Sequence, residues 1–354
     1  MSAETLAVKS TASSTPEALL LGLLSDEGIV SARRSPQVTR LSGGHSHVTW
    51  LVRESGAEGG PVRPRYVVKV AQSDGPLAPY DIAHEVRFTT IARDSGLPSP
   101  RVIFSSQDNR LGSPLFVMEF VEGDAPTPRE IVPWLREHPE TSPVDLARET
   151  VRTLLAMGAV TDTPGGVGAG EYYRGYIDST YDSLLESLAG VCDPSPSLAV
   201  AHRELHSAAE SLGMTPLSLV QGDFRFGNLL LADGKIAAIL DWERGMWGHG
   251  LHDLAYLSLP TMRYDGKIAG LVDDEQLEAV WAEEAGSSWN RPALDYLRAV
   301  SVFTELCSCT RALCALARGR GRMSLLKILP IIARHETDLL RILTTWRDND
   351  GLAR

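Results

Sequence analysis

The chain has 354 residues, 43% hydrophobic and 22% charged, a composition that excludes collagen-like, coiled-coil and wholly disordered chains. At about 150 residues per domain, this length allows one large two-lobed fold or two domains. Lys and Arg number 34 against 45 Asp and Glu, a net charge of −11. That disfavours a nucleic-acid binder, whose affinity comes from neutralising phosphates, but leaves room for a small phosphate-bearing ligand.

Met1–Pro16 is rich in Ser, Thr and Ala and lacks the basic start and apolar stretch of a signal peptide, so residues 1–17 read as a flexible tail on a cytoplasmic protein. The longest apolar run, Leu19–Leu24, falls far short of the ~20 residues of a membrane span. Residues 18–120 read as a first lobe, within which about 37–120 are short strands around one helix. The segment Leu41-Ser42-Gly43-Gly44-His45-Ser46-His47 places Gly43, Gly44 and Ser46 before a strand, where backbone N–H groups can lie over phosphates; a plain hairpin turn is the alternative. Ser46–Val52 and Tyr66–Val70 are rich in β-branched and aromatic residues and are joined by the Gly/Pro-rich loop Ser55–Pro64. Lys69 lies inside the second of these strands, where an edge-strand charge is the simplest reading.

Ile82–Asp94 predicts a helix, stopped by Gly96 and Pro98, and carries Glu85, for which a solvated helix residue is one of the alternatives. Leu115–Phe120 is a further apolar strand. Residues 121–128 (VEGDAPTP) change composition abruptly and read as a hinge into a second lobe, residues 129–354. Helices are expected there at Val144–Val160, Tyr181–Leu188, Leu198–Leu212, Asp274–Glu284, Ala293–Arg318 and Leu325–Trp346. The cysteines are Cys192, Cys307, Cys309 and Cys314. Positions 307 and 309 lie about 200° apart on a helix and cannot share a metal, so buried free thiols are expected.

Chemistry concentrates between Leu219 and Leu257. Asn228–Leu231, Asp233-Gly234 and Lys235–Asp241 predict a strand–turn–strand, because Asp-Gly between apolar runs favours a two-residue turn. With that turn, Ala232 faces Lys235 and Asn228 faces Ile239, two residues short of Asp241. Residues two apart share a strand face, so Asn228 and Asp241 become diagonal neighbours ~7–8 Å apart. An amide oxygen and a carboxylate at that separation can converge on one Mg²⁺. Asp223 sits five residues before the amide, on the loop entering the hairpin, and Arg225 lies two residues further on, able to offset charge on a transferring group. Metal ligands with a neighbouring acid are what phosphoryl transfer requires.

The run Gln221-Gly222-Asp223-Phe224-Arg225-Phe226-Gly227-Asn228, then Asp241-Trp242-Glu243, then Asp253-Leu254-Ala255, resembles the motif set of the aminoglycoside phosphotransferase-like kinases, a group that includes choline kinase-type enzymes. The likeness covers about Leu41 to Trp346. Three positions depart from the usual pattern: Gln221 replaces a His, Met157-Gly158 stands for a Leu-His pair, and Gly248-His249-Gly250 stands for Gly-Asp-Pro. Asp241-Trp242-Glu243-Arg244 and Asp253-Leu254-Ala255-Tyr256-Leu257 are similar to kinase-like domains fused to acyl-CoA dehydrogenases. The resemblance implies an α+β, two-lobed, protein-kinase-like fold using ATP and Mg²⁺ to phosphorylate a small-molecule hydroxyl acceptor; the acidic balance and the short apolar runs argue against a nucleic-acid or membrane partner. It makes Lys69 the phosphate-binding lysine and Glu85 its partner, places the backbone of Glu119 and Val121 against adenine, and makes Asp253 a buttress of the catalytic loop. A nucleotide-binding scaffold without turnover is the rival reading. Among the remaining candidates, His45 and His47 read as a polar turn, His249 and His252 as supporting or surface groups, Trp242 as core packing, and Glu243 as either a ligand or a solvent-facing group.

Overall fold

Alternation along the strands sorts the first lobe into two faces. The computed structural model describes residues 15–41, 47–56, 60–72, 80–162, 166–320, 326 and 328–350. Its first lobe runs α1 (Pro16–Asp26), β1 (Gln37–Arg40), β2 (His47–Ser55), β3 (Val62–Ala71), α2 (Ile82–Asp94), β4 (Val102–Ser106) and β5 (Leu115–Glu119). The strands form one antiparallel sheet in the order β1-β2-β3-β5-β4. Trp50, Val52, Val68, Leu115 and Val117 bury one face against Leu20, Leu23 and Leu24 of α1. The residues between them, with Ala71, Phe116 and Met118 at their centre, pack on Ile82 of α2. The two-residue period therefore puts Lys69 on the α2 side, paired with Thr49 in β2 and Phe116 in β5. Because β3 is paired on both sides, Lys69 is not the edge-strand charge that the sequence allowed.

Helix α1 corrects the expected tail. Thr15 caps it by accepting the Ala18 amide, and Pro16 occupies the first turn, where its missing N–H costs nothing. Residues 16–17 are thus helical. Helix α2 has the limits expected of it, with the Asp81 carboxylate accepting the His84 amide at 3.0 Å. The loop between β2 and β3 is shorter than expected, because Ser55 and Val62–Pro64 are already in the strands.

The connection after β5 does not cross freely. Asp124 exchanges backbone hydrogen bonds with Leu231 at 3.0 and 2.7 Å, so the hinge segment is stitched to the hairpin it precedes. The second lobe then runs α3 (Ile131–Glu137), α4 (Pro143–Ala159), α5 (Ala169–Leu188), α6 (Pro196–Ala208), β6 (Ser218–Val220), β7 (Leu229–Ala232), β8 (Lys235–Ile239), β9 (Met246–Gly248), α7 (His252–Leu257), β10 (Arg263–Tyr264), β11 (Lys267–Ile268), α8 (Asp274–Ala285), α9 (Arg291–Ala317) and α10 (Leu329–Asp350). Helix α9 threads the core, burying Leu294, Leu297, Val300, Phe303 and Cys307 among α5, α6, α7 and α10. Its length and composition would suit a bilayer-spanning helix, yet most of that surface is covered by protein. Helix α5 begins at Ala169, well before the expected Tyr181; Gly170 does not break it but lets it approach residues 209–213, where a Cβ would meet the Ala209 carbonyl at 2.9 Å. All four cysteines are free; Cys307 and Cys314 are buried as expected, whereas Cys192 is exposed.

Candidate active site

Strand β6 pairs with β9 and delivers the chain into the loop Gln221–Arg225. That loop is held from behind by Asp253, the second residue of α7, whose carboxylate accepts the amides of Gln221 at 2.7 Å and Gly222 at 2.9 Å. Burial pushes the Asp253 carboxyl up to about 7, against the pull of those two amides. Gly222 has φ of +82°, and a Cβ there would stand 2.5 Å from the Arg244 carbonyl, so only glycine fits the turn. Gln221 is fully buried. Its Nε2 donates to the carbonyls of Leu240 (3.0 Å) and Asp241 (2.7 Å), while its Oε1 accepts the Asp223 amide at 2.8 Å. The glutamine that departs from the family motif is thus the bridge between the two acidic loops.

Asp223 emerges in a fixed orientation. Arg225 Nε donates to both of its carboxylate oxygens, at 3.0 and 3.1 Å, and Asn228 Nδ2 donates to Oδ2 at 2.8 Å and to the Asp223 carbonyl at 2.9 Å. Tyr256, on α7, is buried close by, and burial, with Glu305 and Asp223 nearby, pushes its hydroxyl well above the usual range. Arg225 therefore clamps Asp223 through Nε.

The hairpin is present, but its register differs from the one expected. Ala232 pairs with Lys235 and Leu231 with Ile236, after which Leu230 pairs with Ala238 and Leu229 with Ile239. Ala237 is the extra residue of a β-bulge. Asn228 therefore faces Leu240, whose amide donates to its carbonyl at 2.8 Å, and not Ile239. Neither site residue belongs to a strand. Asn228 closes the 3₁₀ turn Phe226–Asn228, and Asp241 takes a left-handed conformation (φ 62°, ψ 60°) that Asp tolerates better than most residues. These two turns bring both side chains to the same cavity by a route other than strand-face periodicity.

Across the cavity, Lys69 Nζ is shared by Glu85 and Asp241, hydrogen-bonding Glu85 Oε1 and lying 2.8 Å from Asp241 Oδ1. Burial disfavours the ammonium, but the two carboxylates outweigh it and hold Lys69 above the usual lysine range. Burial likewise opposes charge on Asp241, and Lys69 overcomes it, keeping the carboxyl below the usual range. His47 completes the cluster. It is buried, with Nε2 3.6 Å from Glu85 and Nδ1 3.7 Å from Glu243, and burial followed by Lys69 lowers it to about 4. The expectation of a polar turn fails for His47. Its position on the same face as Thr49, opposite the Lys69 strand, was the available signal.

The cavity between the lobes is about 420 Å³ and is lined by His47, Lys69, Glu85, Glu119, Val121, Asn228 and Asp241, with Val67, Phe116 and Met118 forming an apolar wall. Of the expected nucleotide contacts, the Glu119 amide is already given to the Arg101 carbonyl at 2.9 Å, and the Glu119 carboxylate pairs with Arg93. The Glu119 carbonyl and the Val121 backbone remain as candidates for a base. Gly43, Gly44 and Ser46 lie outside the described residues. Trp242 is buried, as expected, and donates to the Ile239 carbonyl at 3.1 Å. His252 is buried behind the site, against the Tyr173 hydroxyl.

A strand-borne lysine braced by a helix glutamate, facing two acidic loops across an interlobe cleft, defines a kinase-like phosphotransferase fold. The family model described as the phosphotransferase enzyme family (APH) matches residues 37–296. The chain belongs to that family. Among solved structures it is similar to one described as an aminoglycoside phosphotransferase from Ralstonia eutropha JMP134, at 17% identity and a TM-score of 0.66, covering 92% of this chain and 98% of that one. It is also similar to a thermostable mutant of aminoglycoside phosphotransferase APH(4)-Ia in ternary complex with AMP-PNP and hygromycin B, at 20% identity and a TM-score of 0.58, covering 93% and 97%. Among curated proteins it is 25% identical over 288 residues to acyl-CoA dehydrogenase family member 11 of Gallus gallus. That match covers 75% of this chain and 35% of the relative, so the chain spans about a third of that protein's length.

Proposed function

We propose that the chain transfers the γ-phosphate of Mg-ATP to a hydroxyl group of a small molecule. The observation that carries this reading is the orientation of Asp223. Three groups hold it: the Arg225 guanidinium, the Asn228 amide and, through its backbone, Gln221. A carboxylate fixed in this way, beside the cavity that Asn228 and Asp241 line, suits positioning an attacking hydroxyl.

The residues fit a hard cation. Asn228 spends its Nδ2 on Asp223, which leaves its amide oxygen as the end open to a metal, and Asp241 supplies a charged oxygen in the same cavity. These two would hold Mg²⁺, which would supply positive charge to offset that of the phosphates. Lys69, aimed by Glu85, would hold the α- and β-phosphates, while the Glu119 carbonyl and Val121 amide would meet the adenine edge. Asp223 takes the proton from the acceptor hydroxyl as its oxygen bonds to the γ-phosphorus and the bond to ADP breaks. Arg225 keeps the Asp223 carboxylate in place and offsets negative charge there.

The test is transfer of labelled γ-phosphate to a panel of alcohols: aminoglycosides, macrolides, sugars, choline, pantetheine-like alcohols and, because the curated relatives' names refer to acyl-CoA, hydroxyacyl thioesters. Acceptor-dependent product is the expected result. Tight Mg-ATP binding with no ATP consumption under any condition would support the scaffold reading instead.

A further inference from the structure

A second cluster of ligand-type side chains lies away from the cleft, on the helical lobe. His202 and His206 are four residues apart on α6, hence on one face of the helix. Asp178 reaches them from α5. His202 Nε2 lies 2.9 Å and His206 Nδ1 2.8 Å from the same oxygen, Asp178 Oδ1. The three donor atoms all fall within 4.8 Å of one another. Tyr181 stacks on the His202 ring at 4.3 Å with an interplanar angle of 14°, fixing its orientation. Two imidazoles pointed at one carboxylate oxygen form three corners of a tetrahedron, whose edges would be about 3.3 Å for metal bonds of about 2.0–2.1 Å. The side chains are partly exposed, at 40% for Asp178, 26% for His202 and 40% for His206, so an ion can enter and a water can take the fourth corner.

We propose that Asp178, His202 and His206 form a site for a borderline transition metal of the Zn²⁺ type, clipping α5 to α6. Two imidazoles with one carboxylate select such an ion over Mg²⁺, which prefers an all-oxygen octahedron. In the hydrogen-bonded arrangement both rings donate to Asp178, so His202 carries its proton on Nε2 and His206 on Nδ1. A metal would take a lone pair from each of those nitrogens, so on its entry the ring protons would sit on His202 Nδ1 and His206 Nε2. The segment His202-Arg203-Glu204-Leu205-His206 is not the metalloprotease signature, which needs the glutamate directly after the first histidine. The ion here would be a clamp and not a source of hydroxide.

The experiment is equilibrium dialysis of the full chain against Zn²⁺ with excess Mg²⁺ present to occupy the cleft, with metal content and thermal unfolding read together. The parent is expected to retain one Zn²⁺ per chain and to gain several degrees of Tm, a shift expected for a ligand far above its Kd. His206→Ala and Asp178→Asn are expected to lose both, while Asp241→Asn, in the cleft, keeps both. Co²⁺ in the parent should show the intense visible absorption of a four-coordinate ion, a readout that does not depend on any variant folding. Retention of the same Zn²⁺ by His206→Ala, no Zn²⁺ bound by the parent, or Co²⁺ with only the weak absorption of an octahedral ion would each overturn the site.

Discussion

Replacing Gln221 with Leu separates the two acidic loops without changing the volume between them. Leucine fills nearly the same space, so little packing is lost. What disappears is the pair of hydrogen bonds from Nε2 to the Leu240 and Asp241 carbonyls and the one accepted from the Asp223 amide. Each leaves a backbone group unpaired in the interior, at about 1–3 kcal/mol apiece. Leucine's greater apolar burial recovers about 1–2 kcal/mol, and the three losses share a partner and do not add fully. The expected net destabilisation is about 2–4 kcal/mol, read as a lower urea midpoint at unchanged m. Gln221→His, which restores the usual family residue, keeps one acceptor and one donor and should cost about 1 kcal/mol. A Leu variant within 0.5 kcal/mol of the parent (roughly the spread of ordinary surface substitutions), or a His variant as unstable as the Leu variant, would refute the bridge.

Lys69→Met and Glu85→Gln should be coupled in nucleotide affinity by about 0.5–3 kcal/mol, because the two side chains touch; additive effects would mean the pair does not act together. Asp241→Asn should abolish most of the extra thermal stabilisation that ATP gives with Mg²⁺ over EDTA, whereas Asn228→Ala should lose less, since a neutral oxygen binds the cation more weakly; an Asp241→Asn protein with the full Mg²⁺ increment contradicts the metal assignment. His252 accepts the Tyr173 hydroxyl at Nδ1 (2.8 Å), and burial, with Arg244 and His249, lowers it to about 3 from 6.5. A folded-state value depressed below the unfolded one gives stability that is complete above pH 6.5 and drains as pH falls towards 3. Between pH 7.5 and 5 the parent should lose about 2 kcal/mol relative to His252→Gln; parallel stability curves for the two proteins would show that His252 titrates normally.

What the sequence revealed and what it hid follow from range. Helix α2 and the Asp233-Gly234 turn are set by caps and turn residues within a few positions, and both appear where expected. The bulge at Ala237 has no local signature, since Ile236-Ala237-Ala238-Ile239 reads as an unbroken strand, and it moved the register by one residue. Helix α1 is hard to read locally, because Leu19 and Leu21 blur the stripe that Leu20, Leu23 and Leu24 bury. In the cleft, Lys69, Glu85, Asp223, Asn228 and Asp241 are carried by motifs and come together. His47 and Gln221 reach partners distant in sequence, and neither is recognisable until β2, α2 and the hairpin are packed.

The most direct test of the account is Asp223→Asn, with transfer and binding measured on the same sample. Asparagine keeps the shape and the Asn228 and Arg225 neighbourhood but cannot accept the hydroxyl proton. Phosphoryl transfer to the acceptor is expected to fall by ~10²–10⁴, while Mg-ATP affinity, measured by calorimetry, stays within a few-fold of the parent. Transfer at more than about a tenth of the parent rate would contradict the role assigned to Asp223, and with it the phosphotransferase mechanism built around that carboxylate.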